Sequence, residues 1–262
     1  SEGLVAGTAP KALEYATRAA DAAEAVQSPT EVALQLDRAV AASALIPGFP
    51  AEERRVLLRR LGLALRDSGD PRGREVLVEA ARLAEAQGDI ADLAAILGRL
   101  DTESLWASYD WSLHDPAVLA AVERARSQPG LSERDRAVLT MSLASELIYV
   151  DDVRSHELFA EAQRLAEPIG DAVLSARILL QWFWSLSGAA ELEMRASIGG
   201  QLVELDEAGV LPARLRPLAH LSLVSAALEI GDGPLARRCV ARARELAHPV
   251  STPTGWAHLQ LS

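Results

Sequence analysis

The sequence predicts an all-α chain, an α-solenoid of about six antiparallel helix hairpins, and three observations lead there. Helix-ending punctuation recurs about every twenty residues, the spacing of a short repeat. It runs Gly69-Asp70, Gly88-Asp89, Gly130, Asp151-Asp152, Gly170-Asp171, Gly188, Gly209 and Gly231-Asp232, with Ser28-Pro29 and Gly48 ahead of it. The segment Glu79-Ala80-Ala81-Arg82-Leu83-Ala84-Glu85-Ala86-Gln87-Gly88-Asp89 returns as Glu161-Ala162-Gln163-Arg164-Leu165-Ala166-Glu167-Pro168-Ile169-Gly170-Asp171, 82 residues later. A weaker third copy closes the series at Ala243-Arg244-Glu245-Leu246-Ala247. Strand-type alternation of Val, Ile, Thr and Tyr is nowhere sustained. In such a stack each unit buries its apolar face against its neighbours, so residues 1–262 read as one repeat domain.

Each element has its own signal. The first helix is expected from Pro10 to Val26, and Ser28-Pro29 is an N-cap with proline at the first helical position of the second. Pro47-Gly48 closes that helix and Pro50 opens a third, with Leu57, Leu61 and Leu65 on one face. Asp70-Pro71 caps the fourth, and a fifth is expected from Ile90 to about Ser108. After the irregular stretch Tyr109 to His114, Asp115-Pro116 starts the sixth. Ser132 with Asp135 resembles a capping box for the seventh. The eighth shows a stripe of Leu158, Ala162, Leu165 and Ile169, with Glu161, Arg164 and Glu167 outside it. The ninth spans about Ala172 to Leu186 and the tenth Ala190 to Ala208. Pro212 and Gly231 bracket the eleventh, Gly233-Pro234 opens a twelfth that ends at Pro249, and Thr252-Pro253 opens a thirteenth with Trp256. That last apolar helix lacks a following partner, so the chain is expected to be part of a larger protein.

Composition narrows the function. Apolar residues make up 49% and aromatics only 4%, which suits close packing of Ala- and Leu-rich helices. The net charge is −11, so direct nucleic-acid contact is not expected. The densest basic runs, Arg54-Arg55 with Arg59-Arg60 and Arg237-Arg238 with Arg242 and Arg244, read as solvated helix faces. Cys239 stands alone, which rules out an internal disulfide and fits a reducing, cytoplasmic setting. No long apolar span calls for a membrane.

Leu61-Gly62 ahead of Gly69-Asp70, and Gly231-Asp232 followed by Ala236, Val240 and Ala243, resemble the tetratricopeptide repeat. Small residues there let two helices approach closely, and the resemblance implies a right-handed superhelix with a concave groove. The run from Arg54 to Pro71, followed by Arg74 to Ala81, resembles the helical region of large actinobacterial ATP-binding LuxR-type and AfsR-type transcription regulators. The opening Lys11 to Ala20 resembles the helix that follows their NTPase module. That resemblance implies an array that senses a ligand or partner, or restrains an ATPase. The sequence itself holds no G-x-x-x-x-G-K-[ST] motif.

No enzyme is expected. The five histidines, at 114, 156, 220, 248 and 258, are scattered and read as surface or capping residues, so no metal or cofactor is implied. Ser197-Ile198-Gly199-Gly200 reads as close helix packing, and the acids Glu52-Glu53, Asp151-Asp152 and Glu191/Glu193 as helix-start charges. The candidate ligand contacts are aromatic: Trp106, Tyr109 and Trp111 around the irregular connection, and Trp182 and Trp184 on the ninth helix, with Arg177 facing an anionic group. Trp182-Phe183-Trp184 point three ways, so they fill gaps between mismatched repeats or line a groove. The expected partner is a protein domain or small effector in that groove; a free-standing scaffold that captures a peptide is the alternative.

Overall fold

A computed structural model describes residues 2–100, 116–148, 150–213 and 215–246. Those residues form twelve α-helices and no strand, so the all-α expectation holds. They fall into two compact units, 1–100 and 101–262.

In the first unit α1 (Glu2–Ala25), α2 (Pro29–Ala44), α3 (Ala51–Ser68), α4 (Arg72–Gln87) and α5 (Ile90–Leu97) each pack on the next in sequence. Alanines dominate the core, where Ala16, Ala20, Ala23, Ala33, Ala39 and Ala64 meet Leu36, Leu57, Leu61 and Leu65. Such small side chains let the helix axes come close. Gly62 is the extreme case: a methyl group there would sit 2.6 Å from Leu77 Cγ on α4. The leucine–glycine pair therefore marks a tight α3–α4 crossing. Gly69 and Gly88 end α3 and α4 in the left-handed conformation, with φ of 80° and 69°. The following N–H groups of Asp70 and Asp89 return to the carbonyls of Leu65 and Ala84.

Two boundaries differ from expectation here. α1 starts at Glu2 and carries Pro10 inside it, giving up one backbone hydrogen bond. α5 stops at Leu97, where Gly98 turns the chain, and the remainder of its expected length from Asp101 lies outside the described residues.

The second unit holds α6 (Pro116–Arg126), α7 (Glu133–Glu146), α8 (Asp152–Ala166), α9 (Ala172–Ser185), α10 (Leu192–Glu207), α11 (Arg216–Glu229) and α12 (Gly233–Leu246). Here too each helix packs on the next, and α9 also touches α7 and α11. α7 is buried on every side from Ala137 to Glu146. A core between α9, α10 and α11 is built on Leu179, Leu180, Phe183, Ile198, Leu202 and Leu215. Gly199 belongs to it: a methyl group would lie 3.1 Å from Leu223 Cα, whereas Gly200 faces open space.

The α8 stripe is rotated from its expected setting. Ser155, Leu158, Phe159, Ala162 and Ala166 are buried, while Leu165 and Ile169 are only partly so. Phe159 takes the interior, and the chain tightens into a 3-10 turn over Glu167–Ile169. At Ser132 the hydroxyl accepts from Asp135 N at 3.0 Å and donates to the Asp135 carboxylate at 2.7 Å, a variation on the expected box. Ser28 makes no side-chain cap; Pro29 alone sets that start.

Arginine–carboxylate pairs tie alternate helices. Arg60 of α3 reaches back to Asp21 and Glu24 of α1, at 2.6 and 2.9 Å, and Arg72 of α4 to Asp37 of α2 at 3.0 Å. Arg55 of α3 reaches Asp92 of α5 and the cap residue Asp89, and Arg59 shares Asp92. In the second unit Arg126 and Glu123 of α6 pair with Glu161 and Arg154 of α8, and Arg134 of α7 with Asp171 at the start of α9. All these partners lie 31–39 residues apart in sequence. The basic run on α3 is thus no solvated face, because acids on its neighbours stand opposite it.

Candidate functional site

Three of the six expected contacts, Arg177, Trp182 and Trp184, lie on α9; Trp106, Tyr109 and Trp111 lie outside the described residues. Asp171 starts α9 by accepting from the N–H groups of Val173 and Leu174, each at 3.1 Å. Burial raises the Asp171 carboxyl, but those bonds and Arg134 outweigh it and hold it below the ordinary carboxylate range.

The three successive rings divide as their spacing requires. Phe183 fills the core. Half-buried Trp182 stacks on Phe159 of α8, with centroids 6.4 Å apart and planes within 13°. Trp184, also half-buried, meets Phe183 edge-on at 4.8 Å. Arg177 is 8% exposed, an arginine held within the packing rather than presented to solvent.

Polar atoms without partners collect on the same helices. The indole Nε1 of Trp182, Oε1 of Gln163 on α8, and the hydroxyls of Thr140 and Ser142 on α7 are all buried without a hydrogen bond. α7, α8 and α9 touch one another. Gln163 sits one turn beyond Phe159 on α8, the helix against which Trp182 stacks. A buried polar group left unmatched costs about 1–3 kcal/mol. An unmatched indole N–H calls for an acceptor and an unmatched amide oxygen for a donor.

A second constellation escaped the sequence reading. His220 on α11 is buried, contrary to the surface role expected of it. Its Nε2 lies 3.0 Å from Asp206 Oδ2 on α10, and Arg216 Nε donates to Asp206 Oδ1 at 2.6 Å. The Asp206 side chain is 2% exposed. Burial pushes its carboxyl up, but the hydrogen bonds and charges of Arg216 and His220 outweigh that and hold it below the ordinary range. The signal was available: Ile198, Leu202 and Asp206 recur every four residues, so an acid occupies a core register and needs a buried partner. Ser222, the nearby hydroxyl of α11, is committed to Leu218 O at 3.0 Å. The triad fastens α10 to α11. Arg195 adds a second fastening, donating to the Leu186 and Gly188 carbonyls and pairing with Glu229.

No family model matches the chain, and no curated relative does either. Among solved structures it resembles the crystal structure of BtubC (BKLC) from P. vanneervenii at 14% identity, covering 95% of this chain and 94% of that one with a TM-score of 0.46. Cys239 is buried, as expected, and burial raises its thiol, which disfavours the reactive thiolate. His156 stands 3.8 Å from Glu191, whose carboxylate also accepts from Gly188 N. No described helix is long and apolar enough to cross a membrane.

Proposed function

We propose that this chain is a non-catalytic, tetratricopeptide-like interaction domain that holds an effector or partner domain along the α8–α9 ledge. The observation that carries this is the pair of unmatched buried groups, Trp182 Nε1 and Gln163 Oε1, beside stacked rings on contacting helices. Packing between sequence neighbours and ion pairs between alternate helices support a one-directional stack, the α-solenoid of the sequence reading. The resemblance of Arg54 to Ala81 to LuxR-type and AfsR-type regulators supports a place beside a signalling ATPase, in the cytoplasm. There the domain would transmit ligand occupancy as a change of curvature.

A second reading is a free-standing scaffold that captures a peptide. The same atoms favour it, because a peptide group presents one acceptor and one donor, the complement of an indole N–H and an amide oxygen. The full gene separates the two. A P-loop module upstream supports the regulator, and a gene without one overturns it in favour of the scaffold.

A metabolite and peptide screen read by thermal shift tests the site, since saturating ligand at a hundred times Kd adds about 2.7 kcal/mol. Replacing Trp182 with benzothienylalanine, in which sulfur stands in place of the indole N–H, keeps the bicyclic ring for stacking and deletes the donor. Affinity for a hit should fall about tenfold, with the melting temperature unchanged or higher. A lower melting temperature with intact binding would make Trp182 a packing residue and sink the site.

A further inference from the structure

Among the described residues, the arginines of α12 reach no other helix. Arg237, Arg238 and Arg244 are exposed and form no ion pair or hydrogen bond among the described residues. Arg242 reaches only Glu245 of its own helix, at 3.0 Å. Helical spacing spreads the four over the side opposite buried Ala236, Cys239 and Ala243. Elsewhere arginines of α3, α4, α6, α7 and α8 find carboxylates on the second helix before or after them. Behind α12 at that separation stand Glu204, Asp206 and Glu207. Asp206 is taken by Arg216 and His220, and the other two do not engage these arginines.

We propose that the outer face of α12 is a docking surface for an acidic helix of a partner protein, whose carboxylates take the part that Asp37, Glu123 and Glu161 play within this chain. Arg238 and Arg242 are four residues apart and Arg237 and Arg244 seven, rises of about 6 and 10 Å that match carboxylates at the same spacing on a facing helix. Four arginines against one glutamate make α12 a local basic island in a chain of net charge −11. A long polyphosphate is repelled by that surrounding charge, whereas a single acidic helix engages the island alone. This surface is independent of the α8–α9 ledge, so either assignment can fail without the other.

The test uses fluorescence anisotropy at low and moderate salt. The probes are a labelled Ala/Glu helix several turns long, its Gln-for-Glu counterpart, and a DNA duplex of similar length. The wild-type chain should bind the Glu helix in a salt-sensitive way and ignore the Gln version. Arg237→Glu/Arg238→Glu/Arg244→Glu should weaken binding about tenfold or more, with the helical circular-dichroism spectrum unchanged. Arg82→Glu/Arg164→Glu, which reverses two isolated and equally unpaired arginines, should leave it intact. Equal binding by the triple variant, no binding by the wild type, or preference for the duplex overturns the proposal. A concentration-dependent dimer abolished by the triple variant overturns it in favour of a second copy of this chain.

Discussion

The first four arginines of α3, at 54, 55, 59 and 60, are spaced almost as the four of α12, at 237, 238, 242 and 244. Their fates are opposite. On α3 every one of the four is engaged: Arg54 by Glu79, Arg55 by Asp89 and Asp92, Arg59 by Asp92, Arg60 by Asp21 and Glu24. The Arg55 side chain is only 7% exposed. On α12 the arginines face outward, and among the described residues only Arg242 has a partner. The lesson is that a basic run is solvated or structural according to what lies one repeat away, not according to its own letters. Guanidinium groups with acids at the right separation become ties between alternate helices; without them they stay available to another molecule.

The sharpest way to break this contrast is to remove the acid at the centre of the α3 network. Asp92 is shared by Arg55 and Arg59 and is itself largely buried. Asp92→Ala takes one of two carboxylates from the buried Arg55 guanidinium and the close partner of Arg59, and chemical denaturation should register a loss of about 3 kcal/mol, the low end for a broken buried pair because Asp89 stays. Converting both partners, as in Arg55→Met with Asp92→Leu, should restore most of that, because two well-packed apolar groups carry no unmatched charge. A loss below about 1 kcal/mol, the usual worth of an exposed pair, would put α3 in the same class as α12.

That contrast also shows where the letters were legible. Leu57, Leu61 and Leu65 enter the core as their spacing requires, and Gly62 sits at the tight crossing its leucine–glycine context implied. The glycine–aspartate punctuation was readable because each mark is local chemistry: a left-handed glycine, then an aspartate accepting from the next helix's N–H groups. Partners were not readable, because they depend on register between helices 31–39 residues apart. His220 is a different case: its partner Asp206 lies only 14 residues back, in the core register of Ile198 and Leu202, which calls for a buried partner. At the candidate site, Trp182 and Trp184 were visible as scarce rings. Gln163 was not, since nothing in its own segment shows that its amide oxygen goes unmatched.

A middle-sized effect is expected at the α10–α11 fastening, where a carboxylate is consumed by neighbours as on α3. Asp206→Asn should cost about 1–3 kcal/mol near neutral pH, since the two donors lose their charged acceptor. Its pH signature follows from sign. The folded-state carboxyl is held below its ordinary value of 3.8, so the native state binds its proton more weakly than the unfolded chain. Its stabilisation is therefore complete above that value and is lost as pH falls through the lower, folded-state value. The gap between wild type and variant in urea titrations should be widest near neutrality and close on acidification. A gap that stays constant into strong acid would mean that shape, not charge, sets the cost.

The smallest effect sharpens the contrast from the other side. Arg237→Ala/Arg238→Ala/Arg244→Ala removes three charges that nothing in the described chain uses, so the melting temperature should move by no more than about 1–2 °C. Any loss should come from the arginine stems, which can shelter apolar surface even when the heads are free. Lysine separates these terms: Arg→Lys at the three positions keeps both stem and charge and should sit on the wild-type value. A clear loss with alanine that lysine fully recovers would identify these side chains as cover for the helix. A clear loss that lysine does not recover would reveal guanidinium-specific bonds within the chain, and α12 would then belong with α3.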